Sequence, residues 1–530
     1  MAALALAGSF APSLMRRGRR EQVAISLGSA ALGAAAGWAT ESLVVQLARR
    51  LEGGETAARL TVAGAGAAAA LLRLDRTGPA LALAGTGARV AGMAALLGWA
   101  APERRRVAGF DWLPLAAAGA LGVAGVALRA DARRRGRPPL PYPAERYLPS
   151  VSHGPDSLVR GLDFEGERFV AGAMPALRRD PVRVFVGLRS APTVAARCDL
   201  AVAELERLGA FERSRLVVCA ATLRGYVNPV PLAAEELLCD GDVAHVAVQY
   251  FDRRTALLWR KVPIAAQTHR ELLARLTART GPDGPELVVY GESLGAWASQ
   301  QVVRDDGPDG LERRGVARAL WVGTPYLSRF GRRARLGVAE AADPPRRSGR
   351  PKSRLRRAPV RYLCHDARVA VLRTGEVLAW AAGEAADPVP AAARYVLFER
   401  LTDPVVLFPG LELLWRRPPW APGGSWWPGV SFLQGLLDLV KATRWTAEQP
   451  SAEGHDYRLE LPLAVDLALG HGRSREAALD IARTVLETEA ARAAAVRSAR
   501  QAARASAPRG PRGRRARRPR LSRSSRSASA

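Results

Sequence analysis

Two hydrophobic regimes follow one another along this 530-residue chain. The first consists of nearly uncharged runs at 23–40, 60–72, 79–101 and 112–128, rich in Ala, Gly and Leu and separated by Arg-bearing turns. Repeated runs of this kind predict an N-terminal α-helical transmembrane domain of about four spans over 22–130, rather than a cleaved leader. The spans are uneven. Residues 60–72 would rise only about 20 Å as a helix, short of a hydrocarbon core of roughly 30 Å. Arg89 interrupts the third run, which costs about 2.5–3.5 kcal/mol if it sits mid-bilayer. Tilt, snorkelling and close helix contacts through Gly33 and Gly37 would absorb both defects.

Past residue 150 the period shortens. Apolar, β-branched runs at 182–188, 215–220, 243–250, 287–290, 317–322 and 394–398 read as strands. Helical patterns at 194–208, 265–280 and 296–303 alternate with them. That alternation predicts a mostly parallel sheet with helices on both faces. The chain therefore divides into a basic head (1–21), the membrane domain, a Pro/Arg-rich linker (131–150), an α/β region (151–490) and a tail. A basic insertion at 331–358 interrupts the α/β region, and the Arg/Ser-rich tail (491–530) reads as disordered.

Charge changes the picture in one respect. Lys+Arg number 78 against 50 Asp+Glu, a net +28, and nearly all the cations are Arg, clustered in the insertion, the tail and the flanks of the apolar runs. With four spans, the heavier flanks (Arg16, Arg17, Arg19, Arg20 and the Arg129–Arg137 group) lie on one side. The positive-inside rule then predicts a multi-pass protein of the cell membrane whose α/β region is cytoplasmic. A lipid bilayer is the implied partner, and no basic motif with interleaved aromatics points to specific nucleic-acid binding. The four cysteines show neither a metal-ligand nor a redox spacing, so no metal, disulfide or cofactor is expected.

The candidate chemistry centres on Leu287-Val288-Val289-Tyr290-Gly291-Glu292-Ser293-Leu294-Gly295. A strand, a Gly-x-Ser-x-Gly turn and a helix form a nucleophile elbow, which exposes a serine Oγ on a tight turn and aims helix N-terminal amides at the same point. Leu294 N–H is the first expected oxyanion donor. The acid and base should follow in chain order. Asp403, in Leu401-Thr402-Asp403-Pro404 just past a strand, is the preferred acid, and Asp366 is its rival. His455, in Gly454-His455-Asp456-Tyr457 before an amphipathic helical run, is the preferred base, with His471 the alternative, while His365 precedes the preferred acid. Trp415 and Trp420, among Pro, Gly and Arg, are candidates for the wall of an apolar substrate pocket.

The chain resembles actinobacterial membrane proteins that join an N-terminal multi-span domain to an α/β-hydrolase catalytic domain. The likeness rests on Val186-Gly187-Leu188-Arg189-Ser190-Ala191, Gly241-Asp242-Val243-Ala244, Gln249-Tyr250, the elbow, Trp321-Val322-Gly323-Thr324-Pro325, Asp403-Pro404-Val405-Val406 and Gly454-His455-Asp456-Tyr457. It implies an α/β-hydrolase fold with Ser293, Asp403 and His455 in the triad positions. A backbone N–H at Thr222 or Leu223 would supply the second oxyanion donor. Two departures stand out: Thr222-Leu223-Arg224-Gly225-Tyr226 replaces a Gly-rich turn, and Phe398-Glu399-Arg400 replaces Leu-Gln-His before the acid. The expected activity is that of a membrane-anchored serine hydrolase cleaving carboxylic esters, including lipid or other apolar acyl esters. The alternative is a catalytically inactive α/β-hydrolase-fold module that binds or scaffolds at the membrane.

Overall fold

The computed structural model describes residues 21–23, 25–31, 148–152, 164–222, 224–251, 258–281, 283–342, 366–414, 426, 428–442 and 450–506. Most of the apolar N-terminal region lies outside these residues, as do the linker to residue 147, positions 343–358 of the insertion, the tail past Ser506, Leu223, His365, Trp415 and Trp420. Among the described residues no helix is long and apolar enough to cross a membrane.

Seven parallel strands form one sheet in the order β1-β3-β2-β4-β5-β7-β6. They are β1 (Val182–Val186), β2 (Arg215–Ala220), β3 (Val243–Val248), β4 (Glu286–Glu292), β5 (Val316–Val322), β6 (Val369–Arg373) and β7 (Tyr395–Glu399). The central strands are apolar at nearly every position because both faces are covered. One face buries Val182, Val184, Leu216, Val218, Leu287 and Val289 beneath α2 (Val194–Arg207), α4 (Val262–Arg279), α5 (Leu294–Val302) and α7 (Arg329–Ala342). The other buries Phe185, Val217, Val288, Tyr290 and Leu320 beneath α1 (Phe164–Ala171), α3 (Pro229–Leu238), α8 (Thr374–Ala382), α11 (Leu461–Leu469) and α12 (Arg475–Ser506). Shorter helices α6 (Gly307–Glu312) and α9 (Pro404–Leu407) and the longer α10 (Pro428–Ala442) complete the set.

Four expectations change. β6 joins the sheet as a half-buried edge strand, although its apolar run Val369–Leu372 is not among the strands expected. The segment 331–342 is not insertion but most of α7: Phe330 and Ala334 are buried in the core, and Arg335 turns inward. The tail is not disordered from 491, because α12 runs on to Ser506. Ala, Arg and Gln are strong helix formers and extend it without apolar periodicity. Nor is α11 amphipathic; every residue in it is buried, packed between α3, α12 and the sheet.

Residues 21–23 and 25–31 are helical and lie on α10. Gly28 lies so close that a Cβ there would come within 2.9 Å of Leu433, Ile25 and Ser29 are buried, and Glu21 pairs with Lys441 at 2.9 Å.

Candidate active site

Ser293 sits where β4 gives way to α5, with φ 56° and ψ −121°. A non-glycine residue rarely adopts positive φ, and strain of this kind marks sites where the surroundings over-determine the backbone. Here the surroundings are visible. The Ser293 N–H donates to the Val322 carbonyl of β5 at 2.9 Å. A Cβ on Gly295 would lie 2.0 Å from the Ala220 carbonyl oxygen, and one on Gly291 would lie 2.9 Å from the Ala296 nitrogen. Both glycines are therefore dictated by close backbone approach. Leu294 opens α5, so its N–H is one of those a helix leaves without an internal acceptor.

The structure brings Asp403 and His455 together. Asp403 is fully buried just past β7, and its Oδ2 lies 2.6 Å from His455 Nδ1. Its Oδ1 accepts the Val405 N–H at 2.8 Å, which also caps α9. The Tyr457 hydroxyl donates to the same Oδ2 at 2.7 Å and accepts the Arg400 N–H at 3.0 Å. Burial alone would lower the basicity of His455. The charge and hydrogen bond of Asp403, with Glu292 and Asp456 nearby, outweigh it and hold the imidazole above its ordinary 6.5. The imidazole packs on Gly323, where a Cβ would fall 2.5 Å from Cε1. Gly323 directly follows the Val322 that anchors Ser293, so serine and histidine flank the same end of β5. His455 Nε2 is buried with no hydrogen-bond partner, so no Nε2–Ser293 bond is formed in this arrangement.

The sequence profile of the alpha/beta-hydrolase family matches residues 182–473, more than half of the chain. The chain belongs to the alpha/beta-hydrolase family. No curated protein and no solved structure matches it.

Within this family member the turn after β2 differs from expectation. The Thr222 N–H already donates to the Tyr226 carbonyl at 2.8 Å, and the Thr222 carbonyl accepts from Gly225 and Tyr226. Thr222 therefore has no N–H to offer an oxyanion here, and Leu223 lies outside the described residues. The turn is tied down on every side. Gln249 donates to the Arg224 carbonyl at 2.7 Å, Arg168 to the Val227 carbonyl at 3.0 Å, and Asn228 to Glu292 Oε2 at 3.0 Å. Glu292, the residue before Ser293, also accepts from the Tyr290 hydroxyl at 3.0 Å. Burial raises its pKa, and the nearby histidine and these two donors offset this only in part.

The alternative candidates fall at the wrong end of the sheet. Asp366 precedes β6 and pairs with Arg368 at 2.7 Å. His471 follows α11 and lies 2.5 Å from Glu235 and 2.8 Å from the Arg215 guanidinium at the start of β2. Glu235, Cys239 and His471 approach one another as metal ligands would. Arg215, bonded to Glu235 at 3.0 Å and to Glu286 at 2.5 Å, puts a fixed cation where an ion would have to sit. Burial pushes the Cys198 thiol up to about 11 and the Cys239 thiol to about 12, so both stay protonated.

The contacts that sequence reasoning did not foresee are those of Tyr457, Gly323, Glu292, Asn228 and Arg400. Tyr457 and Gly323 lay within quoted motifs, but nothing in their spacing told that they touch Asp403 and His455.

Proposed function

We propose that this chain is a membrane-anchored serine hydrolase acting on carboxylic esters with apolar acyl groups, lipid esters included. The reading is carried by the buried 2.6 Å pair between Asp403 and His455 Nδ1, set beside a strained elbow serine with Nε2 left over. His455 Nε2 takes the Ser293 proton as Oγ attacks the ester carbonyl. The tetrahedral oxyanion meets the Leu294 N–H. Collapse expels the alcohol, which receives the proton from His455, and water then cleaves the acyl-enzyme by the same route. Asp403 fixes the tautomer and stabilises the imidazolium.

Support for an apolar substrate comes from Leu327, Leu401 and Leu411. They are 51%, 63% and 61% exposed, and all three follow strand ends or turns on the Ser293 side of the sheet. Exposed leucines in the segments that follow β5 and β7 suit an apolar ligand or an interface. The uncharged runs before residue 130 support the membrane anchor, and Trp415 and Trp420 remain the proposed pocket wall. The test is a series of p-nitrophenyl esters of increasing chain length, assayed with and without anionic vesicles. The reading expects long-chain turnover that rises on vesicles, falls with salt, and vanishes in Ser293→Ala. Turnover unchanged by that substitution would overturn it.

A further inference from the structure

Arg400 is 5% exposed and lies between the acid turn and the base loop. Its own carbonyl accepts the Asp403 N–H at 3.1 Å, and its N–H donates to the Tyr457 hydroxyl, which in turn bonds Asp403. The guanidinium reaches the other way. Nη1 donates to the Asp456 carbonyl at 2.8 Å and the Gly454 carbonyl at 3.4 Å, the two carbonyls flanking His455. Nη2 grips both carboxylate oxygens of Glu460 at 2.9 and 2.8 Å, where α11 is about to begin. The plane also lies over the Tyr457 ring, 5.2 Å from its centroid. One side chain thus holds the base loop before, after and beyond the histidine, while its backbone holds the acid turn.

We propose that Arg400 is a positioning residue for the proposed reaction: its guanidinium clamps the 454–460 loop so that His455 meets both Asp403 and the nucleophile. The clamp rests on the reading of His455 as the base. A planar fork of donors suits this task, since an ammonium could not serve two carbonyls and a bidentate carboxylate at once. The Arg400–Glu460 pair is only 6% exposed at each partner. Removing the arginine alone would leave a buried carboxylate unpaired and endanger the fold. The informative variant is therefore Arg400→Met/Glu460→Leu, which replaces the pair by apolar groups of similar size and leaves net charge unchanged.

The experiment uses the full-length protein in detergent or nanodiscs, with three readouts. These are thermal unfolding, the pH-dependent rate of fluorophosphonate labelling, and the low-field proton signal of the short His455–Asp403 bond. The double variant should unfold cooperatively near the parental temperature yet label on the order of 10²-fold more slowly, the cost of a misplaced base. Its acid limb should move down toward 6.5 as contact with Asp403 loosens, and the low-field signal should broaden or vanish. Arg400→Lys should label at an intermediate rate. A folded double variant with the parental rate, limb and signal would reduce Arg400 to an ordinary buried ion pair and sink the clamp. If the parent itself fails to label, the nucleophile assignment has failed instead. The proton signal then decides on the clamp alone: its loss in the double variant supports it, and its persistence overturns it.

Discussion

At the scale of single residues, the proposed chemistry turns on the two bonds to Asp403 Oδ2, one from His455 Nδ1 and one from Tyr457. Asp403→Asn should lower kcat by on the order of 10⁴ with the fold intact, because an amide favours the wrong imidazole tautomer. Asp366→Asn, at the far end of β6, should change kcat little. Assays of the two purified variants on one ester decide between the acids, and the reverse ranking would reassign the role. The pH profile follows from the sign of the histidine shift. His455 is held above 6.5, so kcat/KM should rise with pH through a midpoint above that value, as the imidazole loses its proton and becomes a base. The same shift means the His455–Asp403 pair stabilises the fold fully below about 6.5. That contribution is lost as pH rises through the raised value, which unfolding curves across the window would register. Ser293, Asp403 and His455 were legible as candidates because each sits in a short local signature. The tyrosine's bond to the acid was not, since it depends on how two loops meet.

Elements explain which parts of the fold the sequence could declare. Central strands advertise themselves as unbroken β-branched runs, since the sheet is covered on both faces. β6 carries a weaker form of this signal, a four-residue apolar run between Arg368 and Arg373, with alternate positions half-exposed at the sheet edge. The arginines of α7 looked like a solvated insertion. Yet Arg335 binds Glu399 through both its Nε and Nη2, and the Thr324 carbonyl at 2.5 Å, joining the exits of β5 and β7. Charge count alone cannot separate a surface arginine from one that staples two strand ends beside the site. Likewise Glu399-Arg400, which read as a departure before the acid, turns out to be two inward clamps. The elbow gives the sharpest element-scale prediction. Gly295→Ala would drive a Cβ to 2.0 Å from the Ala220 carbonyl, backbone against backbone, and should cost about 3 kcal/mol or more. Gly375→Ala, in α8 with open space around it, should be neutral or stabilise by up to about 1 kcal/mol. Denaturant melts of the pair test whether crowding, and not glycine content as such, shapes the turn.

For the whole molecule, a sheet of the alpha/beta-hydrolase family follows an apolar N-terminal region, and the arginines flanking that region are the basis of the proposed orientation. Helical residues 21–23 and 25–31 rest on α10, which follows Asp403 in the chain, so the head of the first apolar run meets the alpha/beta-hydrolase domain. The proposed topology predicts that a cysteine introduced after residue 506 reacts in intact cells with a membrane-permeant maleimide and not with an impermeant one. Labelling by the impermeant reagent would put the catalytic domain outside and remove one span from the proposal. The central claim is chemical, and one measurement reaches it most directly: fluorophosphonate treatment of the folded full-length protein, followed by peptide mapping. The account predicts a single adduct on Ser293, formed faster as pH rises past the His455 midpoint and absent in Ser293→Ala. Folded protein that takes up no adduct at Ser293 at any pH would contradict it, and would leave the family fold serving as a binding module.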